Sequence, residues 1–112
     1  MRRFLALADQ RPTAVFCAND LMAIGALQAL QEAALLVPRD CSIIGSNDSP
    51  IAAVTSPRLT SSRAPYCELA REAAQALIAQ LGDQPRPPVK KLIACELVVR
   101  DSTAPPWTMP HA

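Results

Sequence analysis

The segment from residue 13 to residue 49 constrains the fold most. Thr-Ala-Val-Phe-Cys at 13–17 runs into Ala-Asn-Asp, and an apolar helical pattern then covers 21–34. A Pro-Arg-Asp turn at 38–40 leads to a second apolar run, Cys-Ser-Ile-Ile-Gly at 41–45, which ends in Ser-Asn-Asp-Ser. Two short apolar runs separated by one helix predict a βαβ unit, with parallel strands and a right-handed crossover. Both strands end in a polar cluster, Asn19 with Asp20 and Asn47 with Asp48. In open α/β sheets ligands bind outside the carboxyl ends of the strands. The first candidate site residues are therefore these two pairs, Asn19 with Asp20 and Asn47 with Asp48.

The run at 13–17 has almost no polar interior, which predicts a central parallel strand covered on both faces. Asn19 or Asp20 is placed to cap the following helix, a side-chain oxygen taking an exposed backbone N–H. On a helical wheel Met22, Ala23, Ala26, Leu27, Ala29, Leu30, Ala33 and Ala34 share one arc, opposite Asp20, Gln28, Gln31 and Glu32. Leu21 and Ile24 fall within the polar arc. They read either as scattered surface apolars or, framed by polar neighbours, as a partner surface. Beyond the second strand, 49–57 predicts one irregular helical turn and a loop, and 59–63 a short third strand. Residues 66–81 form an amphipathic helix, with Glu68, Arg71, Glu72 and Gln75 opposite Leu69, Ala70, Ala73, Leu77 and Leu81, closed by Gly82. A Pro-rich connector follows at 83–88. Residues 91–101 read as one or two strands broken near Cys95 and Glu96, and the chain from 102 onward as loose. Ahead of all this, 2–8 resembles the last turns of a helix.

A chain of 112 residues holds one domain or part of one. A net charge of +1, with signs mixed, speaks against an autonomous nucleic-acid binder. No apolar run approaches the roughly 20 residues needed to span a bilayer. The apolar part of the opening is also shorter than the ~7–15 residues of a secretion signal. Cys17, Cys41, Cys67 and Cys95 stand singly, without metal-ligand spacing, and read as free thiols acting as small hydrophobes in a reducing cytoplasm. The single histidine, His111, lies in a Pro-rich tail.

Four stretches together resemble the lactose/galactose-repressor (LacI/GalR) family of bacterial transcription regulators. They are Pro-Thr-Ala-Val-Phe-Cys-Ala-Asn-Asp-Leu-Met-Ala-Ile-Gly-Ala-Leu at 12–27, Val-Pro-Arg-Asp-Cys-Ser-Ile-Ile-Gly at 37–45, Pro-Arg-Leu-Thr-Ser at 57–61 and Glu-Leu-Val-Val-Arg-Asp-Ser-Thr at 96–103. The resemblance covers nearly the whole chain but only about the last third of such a protein. It implies an α/β, periplasmic-binding-protein-like (type I) effector domain, truncated, in which two lobes close on a sugar or nucleobase. Residues 1–104 would be a partial effector-binding and dimerisation domain. Within it, about 1–64 and 96–104 would belong to the second lobe and about 65–95 to the first, with 105–112 a loose tail. Asn19 inherits a place at the cleft. The family's Gly-aromatic-Asp-Asp or Gly-aromatic-Asp-Asn after the second strand is replaced by Gly45, Ser46, Asn47 and Asp48, so an amide stands where relatives grip the effector with a carboxylate. Ala64 stands where relatives often carry a polar residue, commonly Gln. The helix after Asn-Asp lies at the dimer interface in these repressors, which implicates Leu21, Ile24 and Gln28.

The function expected on this basis is effector sensing and dimerisation. The partners would be a small-molecule effector and a second copy or a full-length relative. Operator DNA would be reached only through an N-terminal helix-turn-helix outside this chain, and no cofactor or membrane is implied. A sugar-binding component of a transport system shares the fold and is the alternative. Enzymatic function lacks a placed base and a Gly-rich phosphate loop, although Asp20 and Asp48 can approach each other at the sheet edge. A helix parted from the sheet of its own lobe would leave large apolar side chains in water. The chain alone is therefore expected to be marginal or prone to aggregate.

Overall fold

The computed structural model describes residues 1–7, 11–81, 87–88 and 90–106. The elements in chain order are α1 (Arg2–Leu5), β1 (Ala14–Phe16), α2 (Asp20–Glu32), β2 (Ser42–Ser46), a 3-10 turn (Pro50–Ala53), β3 (Thr60–Arg63), α3 (Tyr66–Gln80) and β4 (Glu96–Val98). The strands form one sheet in the order β1-β2-β3-β4. β1, β2 and β3 are parallel, with Val15 opposite Ile43 and Gly45 opposite Ser61, while β4 returns antiparallel with Glu96 opposite Arg63. The predicted βαβ unit is present, followed by the third strand.

The core lies between α2 and the sheet. Ala23, Ala26, Leu27 and Leu30 pack with Cys17, Cys41, Ile43, Ala52 and Leu59. Small residues at 23 and 26 let the helix approach β2 closely, and Ile43 and Leu59, with no exposed surface, fill the space. Several expectations need correction. β1 is an edge strand of the described sheet, and Phe16 is 66% exposed, because no described strand pairs with its outer side. On α2, Asp20 is buried although the wheel put it on the polar arc, and Met22, Ala33 and Ala34 of the apolar arc are exposed. The inward face is thus narrower than periodicity suggested, since only one side of the helix meets a sheet.

The third correction concerns the chain after residue 101. Ser102 is fully buried and wedges between β2 and β3. Its Oγ donates to Ile43 O at 2.6 Å and accepts from Thr60 N at 2.8 Å. Ile43 N donates to Ser102 O at 2.8 Å. Ala104 N donates to Ser42 Oγ at 3.1 Å. Backbone groups at the start of both strands are thereby satisfied inside the protein, as burial requires. Of the expected tail, residues 105 and 106 are exposed and the rest lies outside the described residues.

α3 does not pack on the sheet and has no buried residue. Residues 90–95 are not strand. They run beside α3, where Lys91 Nζ pairs with Glu72 at 2.8 Å and a groove of ≈ 440 Å³ opens between Leu69, Ala73, Ala76 and Ile93. The expected Gly82 helix stop and most of the 83–88 connector lie outside the described residues. Cys17 and Cys41 are buried, and burial pushes both thiols up from their ordinary value; Cys67 and Cys95 are exposed, contrary to the reading of all four as hydrophobes.

Candidate functional site

Asn19 and Asp20 follow β1 directly and divide two tasks. Asn19 is the N-cap of α2, its backbone extended at φ −155°, and its Oδ1 accepts from Met22 N at 2.8 Å. The cap consumes the carbonyl oxygen and leaves the amide N–H groups as donors. Asp20, the first helical residue, turns inward and is 2% exposed. Its Oδ2 accepts from Ser49 N at 2.6 Å and Ser49 Oγ at 2.7 Å, and its Oδ1 accepts from Ser61 Oγ at 2.6 Å. A carboxylate at a helix N-terminus is favoured by the exposed N–H groups there. Three charge-assisted bonds, roughly twice as strong as neutral ones, fix the loop after β2 and the middle of β3 against the start of α2.

Asn47 and Asp48 follow β2 in a left-handed turn, with φ of 97° and 48°. Asn and Asp tolerate that region better than other side-chain-bearing residues. Asn47 is exposed; its backbone N–H donates to Ser62 O at 2.8 Å, and its Oδ1 accepts a short hydrogen bond from the Tyr66 hydroxyl at the start of α3. Asp48 points the other way, its side chain only 5% exposed. Its Oδ2 accepts from Arg63 Nη2 at 2.6 Å and Nε at 2.8 Å. Its Oδ1 makes no aligned hydrogen bond but lies 2.7 Å from Arg100 Nη1, which donates along its axis to Leu59 O at 2.7 Å. Arg100, and after it Arg63, hold the Asp48 carboxyl below the ordinary carboxylate range, against burial pushing upward. The Asp48 backbone N–H donates to Ser61 Oγ at 3.0 Å, so one hydroxyl joins the two polar clusters.

The structure therefore links the turns after β1 and β2 through Ser61, but the candidate site residues differ in availability. Asn19 and Asn47 retain free amide donors at the carboxyl edge of the sheet, whereas the carboxylate of Asp48 is enclosed by two guanidinium groups. Of the pair weighed for acid and base chemistry, Asp20 accepts hydrogen bonds on both oxygens, and Asp48 is ion-paired on both, with Arg63 and Arg100. Among the described residues no group of three or more His, Cys, Asp or Glu side chains could hold a metal ion. Sequence reasoning did not find Ser49, Ser61, Arg63, Tyr66 or Arg100. Ser61 lies in the uniform polar run Thr60-Ser61-Ser62, which does not announce its inward member, and the two arginines are 37 positions apart in the chain, by difference of their numbers.

On α2, Leu21 is 71% exposed, Ile24 half-buried, and Gln28 exposed with its amide donating to Glu32 Oε1 at 3.2 Å. Beside them Phe4, Phe16, Met22 and Gly25 line an open groove of ≈ 610 Å³.

Residues 1–103 match the family described as periplasmic binding protein-like domain. The chain is 42% identical over 99 residues to the transcriptional regulator MalR of Streptomyces coelicolor, spanning 88% of this chain and 29% of MalR. It is 42% identical over 103 residues to the transcriptional repressor CytR of Escherichia coli, spanning 92% of this chain and 30% of CytR. Among solved structures it is similar to the regulator CelR in complex with cellobiose, with TM-score 0.74 and 34% identity, covering 80% of this chain and 28% of that one. A LacI-family regulator from Arthrobacter in complex with lactose gives TM-score 0.71 and 30% identity, covering 90% of this chain and 38% of that one. The chain thus spans about 30% of the length of the curated relatives it matches. It belongs to the periplasmic binding protein-like domain family, in the form carried by LacI-family transcription regulators.

Proposed function

We propose that this chain supplies one wall of a small-molecule effector site in a transcription regulator, with Asn19 and Asn47 donating to ligand hydroxyl groups. The observation that carries the reading is the pair of amides at the carboxyl edge of adjacent parallel strands, each with its carbonyl oxygen used within the protein. Their remaining N–H groups match the oxygen-rich surface of a sugar. Structural relatives hold cellobiose and lactose, which favours the sugar class. Asp48 supports the site from beneath by fixing the turn that presents Asn47.

The site works without a catalytic step: a ligand that binds one conformation better shifts the population toward it. Residues 1–64 and 96–104 belong to the second lobe, which carries β1 to β4, and residues 65–95 to the first. Leu21, Ile24 and Gln28 form the surface through which two copies pair. Operator DNA is contacted by parts of such regulators outside the matched region, and the protein acts in the cytoplasm. No helix among the described residues is long and apolar enough to cross a membrane.

Titrating the labelled chain with cellobiose, lactose and sucrose, and following the Asn19 and Asn47 side-chain amide resonances, tests the reading. At least one sugar is expected to move both. Asn47→Gly, which suits the left-handed backbone, is expected to weaken that binding about fivefold, the worth of one net hydrogen bond. Unmoved amides with all three sugars would overturn the sugar assignment.

A further inference from the structure

α3 and residues 90–95 behave as one unit, tied together by the Glu72 to Lys91 ion pair and standing off the sheet. The chain passes between this unit and the sheet twice, through Ala64 and Pro65 after β3 and through Cys95 into β4. The last residue of β3, Arg63, and the first of β4, Glu96, are register partners and pair at 3.1 Å. The same Arg63 is gripped by Asp48 through two nitrogens, and Arg100, just beyond β4, closes on the other oxygen of Asp48. Asp48 therefore grips the first crossing directly through Arg63 and reaches the second through the Arg63 to Glu96 pair. The neighbouring Asn47 holds the other side of the hinge, accepting from the hydroxyl of Tyr66, the first residue of α3.

We propose that the Asn47 and Asp48 turn is a hinge latch, Asp48 fastening the residues at both crossings to the sheet lobe through Arg63 while Asn47 holds the first residue of α3 through Tyr66. The inference deepens the reading above, because the amide offered to the ligand is also the amide that holds the helix. A ligand that reorients Asn47 acts directly on Tyr66. The left-handed backbone of both residues explains why adjacent side chains face opposite ways, one into the sheet lobe and one toward the helix.

Backbone nitrogen relaxation on the full 112-residue chain, without ligand, reads the latch. In the unaltered chain the amides of α3 and of the sheet are expected to report one tumbling time. Tyr66→Phe removes only an exposed hydroxyl and should raise the undocked population about fivefold, so that α3 tumbles faster than the sheet. Asp48→Asn should split the two tumbling times as well, with the β1 to β3 resonances still dispersed. Arg58→Ala, which removes the surface pair with Asp101 away from the turn, should leave them equal. Equal times in either latch variant, separate times in the unaltered chain, or a split caused by Arg58→Ala would overturn the latch. Sugar binding is measured separately, on the amide side chains, so failure of the latch and failure of the sugar assignment are distinct results.

Discussion

Asp20 and Gly45 constrain each other. A Cβ added at Gly45 would lie 2.2 Å from Asp20 Oδ1 and 2.9 Å from Leu59 Cδ2, so the carboxylate reaches Ser61 only because position 45 has no side chain. The wheel misplaced Asp20 for a physical reason: local periodicity assigns charge to water, and here Ser49 and Ser61, remote in sequence, replace the water. Asp48 makes the clearest pH prediction. Its folded carboxyl is held below the ordinary value of ~3.9 by Arg100 and Arg63. In the acid range the unfolded chain therefore binds more protons than the folded one, and stability rises with pH. The Asp48 contribution is complete above the unfolded value and is lost as pH falls through the folded value. Asp48→Asn should lower the urea midpoint at pH 7 and flatten its fall from about pH 5 downward. Asp40, Asp101 and Glu72 are also lowered, but each is paired at the surface, where ion pairs contribute little. Parallel acid curves for the variant and the unaltered chain would remove Asp48 as the source.

Gly25 sits inside α2 with nothing within 4 Å of where a Cβ would project. A helix-interior glycine costs roughly 1 kcal/mol relative to alanine, and no clash offsets the gain. Gly25→Ala should therefore raise the melting temperature by about 4–8 °C, read by circular dichroism at low protein concentration. An unchanged or lowered value would mean that the open groove at Gly25 is filled in solution. Elements were the most legible scale in the sequence. The strand–helix–strand order, the third strand and α3 were all readable, because hydrophobic period and turn residues act over a few positions. What was not readable depended on contacts far along the chain. Apolar Val15 and Phe16 predict a central strand for β1, but an apolar run does not say which strands are present to cover it. The polar Ser102 to Ala104 stretch read as tail, yet it closes the β2 and β3 fork through contacts with Ile43, Thr60 and Ser42. The resemblance of 96–103 to repressors assigns that stretch to the second lobe without supplying its role.

The described molecule measures 70 × 29 × 25 Å, with a radius of gyration of 19.3 Å. A compact chain of this length would have about 13 Å. α3 does not pack on the sheet, and two separate apolar faces are left in water. One is on the sheet lobe, where Leu21, Met22 and Phe16 are 71%, 58% and 66% exposed; the other is on α3, where Leu77, Ile78 and Leu81 are 62%, 67% and 77% exposed. Either face can drive self-association, and they are separable by charge. The α2 face is backed by a packed helix whose inner side is fixed by Leu27 and Leu30, so docking there orders little additional chain. The α3 face has no such backing, and contacts through it should be weak and open-ended. Two copies paired about a two-fold axis bury each Leu21 once, at about 2 kcal/mol apiece. Leu21→Lys should then weaken dimerisation by about a thousandfold in sedimentation equilibrium, while Leu77→Lys leaves the dimer and only raises solubility. If Leu77→Lys alone abolishes association, pairing runs through α3, and the assignment of Leu21, Ile24 and Gln28 to the interface is wrong.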